Sequence, residues 1–470
     1  MDGFSGTLRL TDLNDFMAPA QECIKPVTIN RIPEKGRSIK ITASGDYSEV
    51  DAKGQEKKLE KAAITLSDCL ACSGCVTSAE TVLIQQQSVD ELLRVIRENL
   101  EVPADQRRII VASVSLQSVA SLARRYRLTM RQCQQKVSGY LRSLGVDRIY
   151  DLSAASALAL TESQREFVDR ARRNDPGSLP MLASACPGWI CYAEKTHGSW
   201  VLPYINTTKS PQQIQGALIK KYLSRADHQN PGKYYHATLM MCYDKKLEAS
   251  REDFYDDVLR SREVDCVVTS LEMEQMLEKK GVLLDQVCSS DFDLLPGLST
   301  EFYNSGGGAG GYLENILRHA ARELFQYEVG PVEYKTIRNQ DFRETTVTIN
   351  GELKLYFAAA YGFRNIQNIV QKLKRSKCPY GFVEIMACPS ACLNGGGQIR
   401  APDAAEAKVW LQDVQELFDS LEKTDAGSNI PWLDGLYRTL RDDPSTEPSK
   451  LLHTQYHSLE NKGTALNIKW

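Results

Sequence analysis

Two groups among the thirteen cysteines of this 470-residue chain are spaced for chemistry. Cys69, Cys72 and Cys75 form C-x2-C-x2-C within DCLACSGC (68–75), the core of a ferredoxin-type loop. That spacing lets one tight loop wrap thiolates around three corners of an iron–sulfur cube. Bacterial loops of this kind continue to a further Cys followed by Pro, where this chain has Ala79 and Glu80. A fourth ligand must come from elsewhere, and Cys23, the only cysteine upstream, is the candidate. A zinc site or unliganded loop thiols are the alternatives. In the second group, Cys388 and Cys392 stand four apart in MACPSACLNGGGQ (386–398) and run into three glycines. A structural zinc knuckle usually wants Cys-x-x-Cys with a matching pair nearby, so this spacing asks for another use.

The rest of the composition narrows the setting. An odd cysteine count, with no basic n-region and apolar core in MDGFSGTLRLTDLNDFM, argues against a disulfide framework and for a reducing compartment. Net charge is −3 with both signs mixed, so no basic footprint for nucleic acid exists. No apolar run approaches a membrane span, and no membrane partner is expected. The length suggests two or three domains.

The elements that must position these thiols read as follows. Residues 1–104 form an N-terminal region holding the cluster loop: SIKITASG alternates, EKKLEK reads as a turn or short helix, and SVDELLRVIREN is an amphipathic helix. From about 105 to 430, apolar β-prone runs alternate with helical patterns. The strands are RRIIVASVSL, PMLASACP (180–187), YHATLMMC (235–242), DCVVTS (265–270), KLYFAAAYG (354–362) and FVEIMAC (382–388). Between them lie MRQCQQKVSGYLRSLG, ALTESQREFVDRARR, SPQQIQGALIKKYLSR, LEMEQMLEKKG and NIQNIVQKLKRS. Two such series predict an α/β fold of two lobes, with mostly parallel sheets flanked by helices. Cys186, Cys242 and Cys388 fall at the C-terminal ends of predicted strands, where open α/β sheets place their sites. Residues 431–470 form a separate C-terminal segment.

Several motifs together carry a resemblance. ASACPGW (183–189), MMCYDKKLEA (240–249) and MACPSACLNGGGQ are similar to the three motifs that hold the active-site cluster of iron-only hydrogenases. TKSPQQIQGALIK (208–220), GGYLENILR (310–318) and LLHTQYH (451–457) resemble further segments, so the likeness covers about residues 60–460. It implies a cubane held by Cys186, Cys242, Cys388 and Cys392, with Cys392 in the position that bridges to a diiron subsite. The glycines after Cys392 would then pack backbone against inorganic sulfide and offer it N–H donors.

The departures decide the functional reading. Hydrogenases carry a proton-relaying cysteine where this chain has Ala185, and a proline where it has Met241; Lys245 is retained. The extra cluster domains of many hydrogenases are missing. The combination resembles the eukaryotic branch that serves cytosolic iron–sulfur assembly, related to the nuclear prelamin A recognition factor. That resemblance implies two 4Fe-4S clusters (Cys23, Cys69, Cys72 and Cys75; Cys186, Cys242, Cys388 and Cys392), no diiron site and no hydrogenase activity. It implies partners in an upstream cluster scaffold and in the targeting complex with its WD40-repeat subunit. Ile468 and Trp470 would dock on that complex, and the location would be cytoplasmic with a nuclear pool. A true iron-only hydrogenase, or another redox enzyme using the same motifs, is the alternative.

The remaining residues that invite attention have plainer readings. Cys133, Cys191 and Cys266 are expected as core thiols. His453 and His457 are placed on one helical face, where packing is favoured over a zinc pair. NSGGGAGG (304–311) resembles a phosphate loop but lacks a following Lys-Ser/Thr, so a tight turn under the second cluster is the better expectation.

Overall fold

The computed structural model describes residues 84–458 except 85, 174, 176, 258–259, 297–305, 423–434 and 439–447, together with three short strands before them. The chain divides into two compact units, Met1–Thr81 and Val82–Trp470. In the first, β1 (Ser38–Ile41), β2 (Tyr47–Val50) and β3 (Glu56–Lys58) pair antiparallel in that order. The EKKLEK run, read as a turn or short helix, therefore begins as strand β3. Cys23, Cys69, Cys72, Cys75, Ile468 and Trp470 lie outside the described residues.

The second unit is the two-lobed α/β architecture that the sequence predicts. Its strands are β4 (Ile109–Val114), β5 (Arg148–Asp151), β6 (Met181–Ala183), β7 (Tyr234–Met240), β8 (Tyr255–Asp256), β9 (Ser261–Arg262), β10 (Cys266–Thr269), β11 (Lys335–Thr336), β12 (Phe342–Ile349), β13 (Glu352–Tyr361) and β14 (Phe382–Met386). One lobe is the all-parallel sheet β10-β7-β4-β5. Every residue of β7 is buried, as a strand covered by helices on both faces requires. The crossover from β4 to β5 is a pair of well-capped helices, Leu116–Tyr126 and Met130–Leu144. The second has a Thr129–Gln132 capping box at its start and Gly145 at φ 107 at its end.

The other lobe is the mixed sheet β11-β12-β13-β14-β6. β12 and β13 form an antiparallel hairpin through Asn350 and Gly351, whose φ values of 53 and 80 suit a tight two-residue turn. β13, β14 and β6 then run parallel. Phe167 meets the rings of Phe357 and Phe382 edge to face at 5.0 and 6.0 Å in this lobe's core, and Phe357 and Phe382 lie tilted against each other at 5.0 Å. Phe167 comes from the helix Ser153–Arg173, which joins the lobes: Ala154 and Leu158 pack beside β4, and Leu160 and Phe167 pack under the mixed sheet.

Near the end of the second unit comes a short helix, Pro448–Leu452, followed by an extended strap. His453 bridges antiparallel to Thr208, so His453 and His457 do not share a helical face. Each meets a carboxylate: His453 is 2.9 Å from Glu162 and His457 is 2.8 Å from Asp253. Tyr456 donates to the Asn206 carbonyl. No helix among the described residues is long and apolar enough to cross a membrane.

Candidate metal centre

Each of the four hydrogenase-type cysteines follows a strand or its turn. Cys186 comes after β6 and caps the helix Pro187–Tyr192, whose first residue is a proline with no N–H to orphan. Cys242 follows β7 and leads into the helix Asp244–Ala249. Cys388 follows β14, and Cys392 lies in the 3-10 turn Ala391–Asn394 just beyond it. Ser390 and Ala391, at φ 58 and 60, place a tight left-handed bend between Cys388 and Cys392. The mixed lobe thus supplies Cys186, Cys388 and Cys392, and the parallel lobe supplies Cys242.

The four thiols are free and within electrostatic reach of one another. Burial, and after it the Asp244 carboxylate, holds the Cys186 and Cys242 thiols above the usual thiol range. Burial and then the neighbouring Cys186 do the same to Cys388 and Cys392, the last reaching about 12. Four such groups can ionise together only beside compensating positive charge, which is what a polynuclear metal centre brings. Among the described residues, no three His, Cys, Asp or Glu side chains close on one point as a single metal ion demands. The Ala387 N–H points at Cys186 Sγ from 3.4 Å, the kind of donor that steadies a thiolate ligand. An all-thiol donor set of this kind fits an iron–sulfur cluster.

The glycines after Cys392 have a role the sequence did not show. A Cβ on Gly395 would stand 2.4 Å from the Met241 carbonyl oxygen, and one on Gly397 would stand 3.1 Å from Cys242 Cα. The Gly397 N–H donates to Met241 O, and its carbonyl accepts from Leu271 N. This turn from the mixed lobe's loop is pressed against the Cys242 segment of the parallel lobe, which fixes the distance between the two ligand sets.

Around the thiols lies a polar lattice. Lys245 is buried, and its Nζ donates to Glu248 at 2.8 Å and Ser210 at 3.1 Å. Gln212 Nε2 donates to the same Glu248 oxygen and to the Lys245 carbonyl, while Thr238 donates to Gln212 Oε1. A cavity of about 70 Å³ beside Cys392 is walled by Ala185, Leu116, Met240, Met241, Lys245 and Tyr312. Cys191, expected in the core, is half-buried and lines a second cavity of about 30 Å³ with Ala185 and Arg251. Cys133 and Cys266 are core thiols as expected.

The glycine loop 306–311 packs beneath the Cys392 turn, since a Cβ on Gly308 would stand 2.7 Å from Leu393. The helix Tyr312–Phe325 that follows has its N-terminus satisfied from within: Leu313 N donates to the buried Glu384 carboxylate at 2.7 Å. A protein carboxylate stands where a phosphate would bind, so the loop serves as a turn.

Comparison with known proteins agrees with this geometry. Residues 108–396 match the family described as iron only hydrogenase large subunit, C-terminal domain. The chain is 50% identical to a cytosolic Fe-S cluster assembly factor of Xenopus tropicalis, over 99% of both chains. It is 50% identical, again over 99% of both, to cytosolic iron-sulfur assembly component 3 of Mus musculus. Among solved structures it resembles an FeFe-hydrogenase of Chlamydomonas reinhardtii in fold, with TM-score 0.67 at 24% identity, covering 78% of this chain and 98% of that one. With two lobes closing on four thiols and full-length relatives at half identity, the chain belongs to the iron-only hydrogenase-like family, in its branch of cytosolic iron–sulfur assembly factors.

Proposed function

We propose that this protein is a non-enzymatic component of cytosolic iron–sulfur assembly. In this reading it holds one 4Fe-4S cluster on Cys186, Cys242, Cys388 and Cys392 and another on Cys23, Cys69, Cys72 and Cys75. It links an upstream scaffold to the targeting complex that matures cytosolic and nuclear apoproteins, with Ile468 and Trp470 docking on that complex. The observation that carries the reading is the convergence of four thiols, two buried and two half-buried, beside a residue, Ala185, that can neither give nor take a proton. The names of the full-length relatives support the pathway and the cytoplasmic setting.

The cluster supplies iron and sulfide in a form that can be held or passed on. The chain's own residues do the rest. Cys186, Cys388 and Cys392 present thiolates from one lobe, Cys242 closes the set from the other, and Ala387 N–H and the Gly395–Gly397 turn hold them in place. The small cavity beside Cys392 is bordered by Ala185, which offers no proton-relaying group. The Lys245 ammonium that borders it is already engaged by Glu248.

The test is iron and sulfide content of the full chain, read with electron paramagnetic resonance. About eight of each per chain are expected, as two cubanes. Cys69→Ala and Cys186→Ala should each remove one cluster and spare the other; zinc in place of iron would defeat the reading. Trp470→Ala should leave both clusters intact and abolish co-purification with the targeting complex. The hydrogenase fold keeps the enzymatic alternative in view, and dithionite-driven hydrogen evolution from the loaded chain would establish it.

A further inference from the structure

The turn between Cys388 and Cys392 holds an unusual stretch of backbone. Ser390 and Ala391 stand side by side at φ 58 and 60, and neither is a glycine. A side chain at positive φ crowds its own backbone, so two such residues in a row persist only where their surroundings hold them. Ala391 is buried, and its N–H donates to the Cys388 carbonyl at 3.1 Å. Farther along, Arg400 donates to the Asn394 and Gly395 carbonyls at 3.3 and 2.8 Å. Ser390 is exposed, and its hold comes from another part of the chain. Its N–H donates to Asp341 Oδ1 at 2.6 Å, across 49 positions.

Asp341 is itself fixed by the mixed sheet. It directly precedes β12, and its N–H donates to Asn339 Oδ1 at 3.0 Å. Its carbonyl accepts from Tyr361 N, at the end of β13, at 2.8 Å. Gly362, the next residue, donates to the carbonyl of Met386, which ends β14 two residues before Cys388. The carboxylate is therefore carried by the same sheet that delivers the cysteine turn. Asp341, Ser390 and Ala391 share the wall of a cavity of about 470 Å³. The other charged groups on that wall are engaged elsewhere. Glu314 pairs with Arg318, Arg343 lies over the Tyr334 and Tyr361 rings, Glu384 accepts from Leu313 N and Tyr361, and Asp419 accepts from Gln415.

We propose that Asp341 is a positioning residue for the second cluster, holding the Cys388–Cys392 turn in its left-handed form through the Ser390 N–H. A carboxylate accepting from a backbone N–H makes a short and strong hydrogen bond, and 2.6 Å lies at that end of the range. Without it the bend relaxes toward the right-handed region that residues with a side chain prefer, and Cys388 and Cys392 lose their fixed relation. Both partners belong to the mixed lobe, so the brace needs neither iron nor the other lobe. The chain meets iron with this turn already formed.

The inference rests on the reading of a second cluster on these four cysteines, and the experiment separates the two. Full-length chain loaded with iron and sulfide is exposed to a ferrous-iron chelator without oxygen. Loss of each cluster is followed by electron paramagnetic resonance of dithionite-reduced samples. In Asp341→Ala the second cluster should be lost about tenfold faster, as removal of a hydrogen bond to a charged group implies, while the other cluster keeps the parent's rate. Asp341→Asn retains a side-chain oxygen to accept from Ser390 and should stay near the parent. Adding Ser390→Gly to Asp341→Ala should restore most of the parent's hold, because glycine takes positive φ without a brace. A role for Asp341 in the sheet alone would show no such rescue. Asp341→Ala at the parent's rate, or fast loss that Ser390→Gly does not slow, would overturn the inference and leave the cluster reading standing. If Asp341→Ala takes up no second cluster, the double variant decides: loading restored by glycine supports the brace, and loading still absent overturns it. A parent chain with no second cluster overturns the underlying reading, and the brace with it.

Discussion

The two lobes contribute unequally to the same site. The mixed lobe brings Cys186 and Cys388 just past the ends of adjacent parallel strands, β6 and β14, and adds Cys392 from the turn after β14. The parallel lobe brings Cys242 alone. Three thiols are therefore pre-arranged by strand pairing, and the fourth arrives only when the lobes pack. The lesson is that one lobe builds the site and the other closes it, with the Gly395–Gly397 turn as the contact where closing happens.

The largest effect should come from removing a thiol on either side. Cys388→Ala leaves three thiols split between lobes, and iron should fall from about eight to about four per chain. Cys242→Ala leaves three on one lobe, and a partial cluster should survive purification but go first to a chelator. Identical iron loss in both variants would erase the asymmetry.

Next in size is Phe357→Ala, which empties the aromatic core beneath the pre-arranged trio. A cost of about 3–5 kcal/mol is expected in denaturant unfolding, together with poor loading of the second cluster. Retention of full iron in this variant would mean that the trio does not depend on its sheet.

Gly395→Ala forces a methyl against the Met241 carbonyl and should cost about 1–3 kcal/mol while loosening iron. Gly396→Ala meets nothing within 4 Å and should be silent. If both are silent, the turn does not set the gap between lobes.

The smallest effect is a pH response with opposite signs. In the parallel lobe His236 is fully buried between Ser113 Oγ and the Glu263 carbonyl, and burial pushes its pKa down to about 3. The unfolded chain takes up that proton near pH 6.5. Stability is therefore present above that value and lost as pH falls. Asp151, raised to about 6 by burial, works the other way: the folded chain binds a proton below 6 that the unfolded chain does not, so stability rises as pH falls from 6 to 4. Glu384, raised by its burial in the mixed lobe, acts in the same direction as Asp151. Between pH 7 and 6 the cluster-free protein should lose under about 1 kcal/mol through His236. That loss should vanish in His236→Gln, read as the change in Tm between the two pH values.

Much of this architecture was legible because buried parallel strands advertise themselves as apolar runs. Six runs named from sequence became β4, β6, β7, β10, β13 and β14. β5 escaped because RIYD is four residues long with a charge at each end. β12 escaped because FRETTVTI carries Glu344 on a buried face, where the Tyr356 and Tyr380 hydroxyls donate to it. The strand-end placement of Cys186, Cys242 and Cys388 followed from the same pattern. Their convergence did not, since it depends on how two lobes pack. Asp244, and the Lys245–Glu248 pair with Ser210, were invisible for a related reason: their partners lie in segments remote in sequence.

The pairing of β6 with β14 has a consequence for how the chain is made. Their residues lie 201 positions apart, as in the contact between Ser184 and Ile385. At a ribosomal pace of about 5–20 residues per second, β6 emerges roughly 10–40 s before its neighbour exists. The parallel sheet is complete in sequence as soon as β10 has left the exit tunnel, so it can fold while Met181, Leu182 and their helix still wait. During that interval a nascent apolar strand and the Cys186 thiol stand without the residues that later cover them. Folding chaperones have a defined window in which to act, and the four thiols can come together only after translation has passed Cys392.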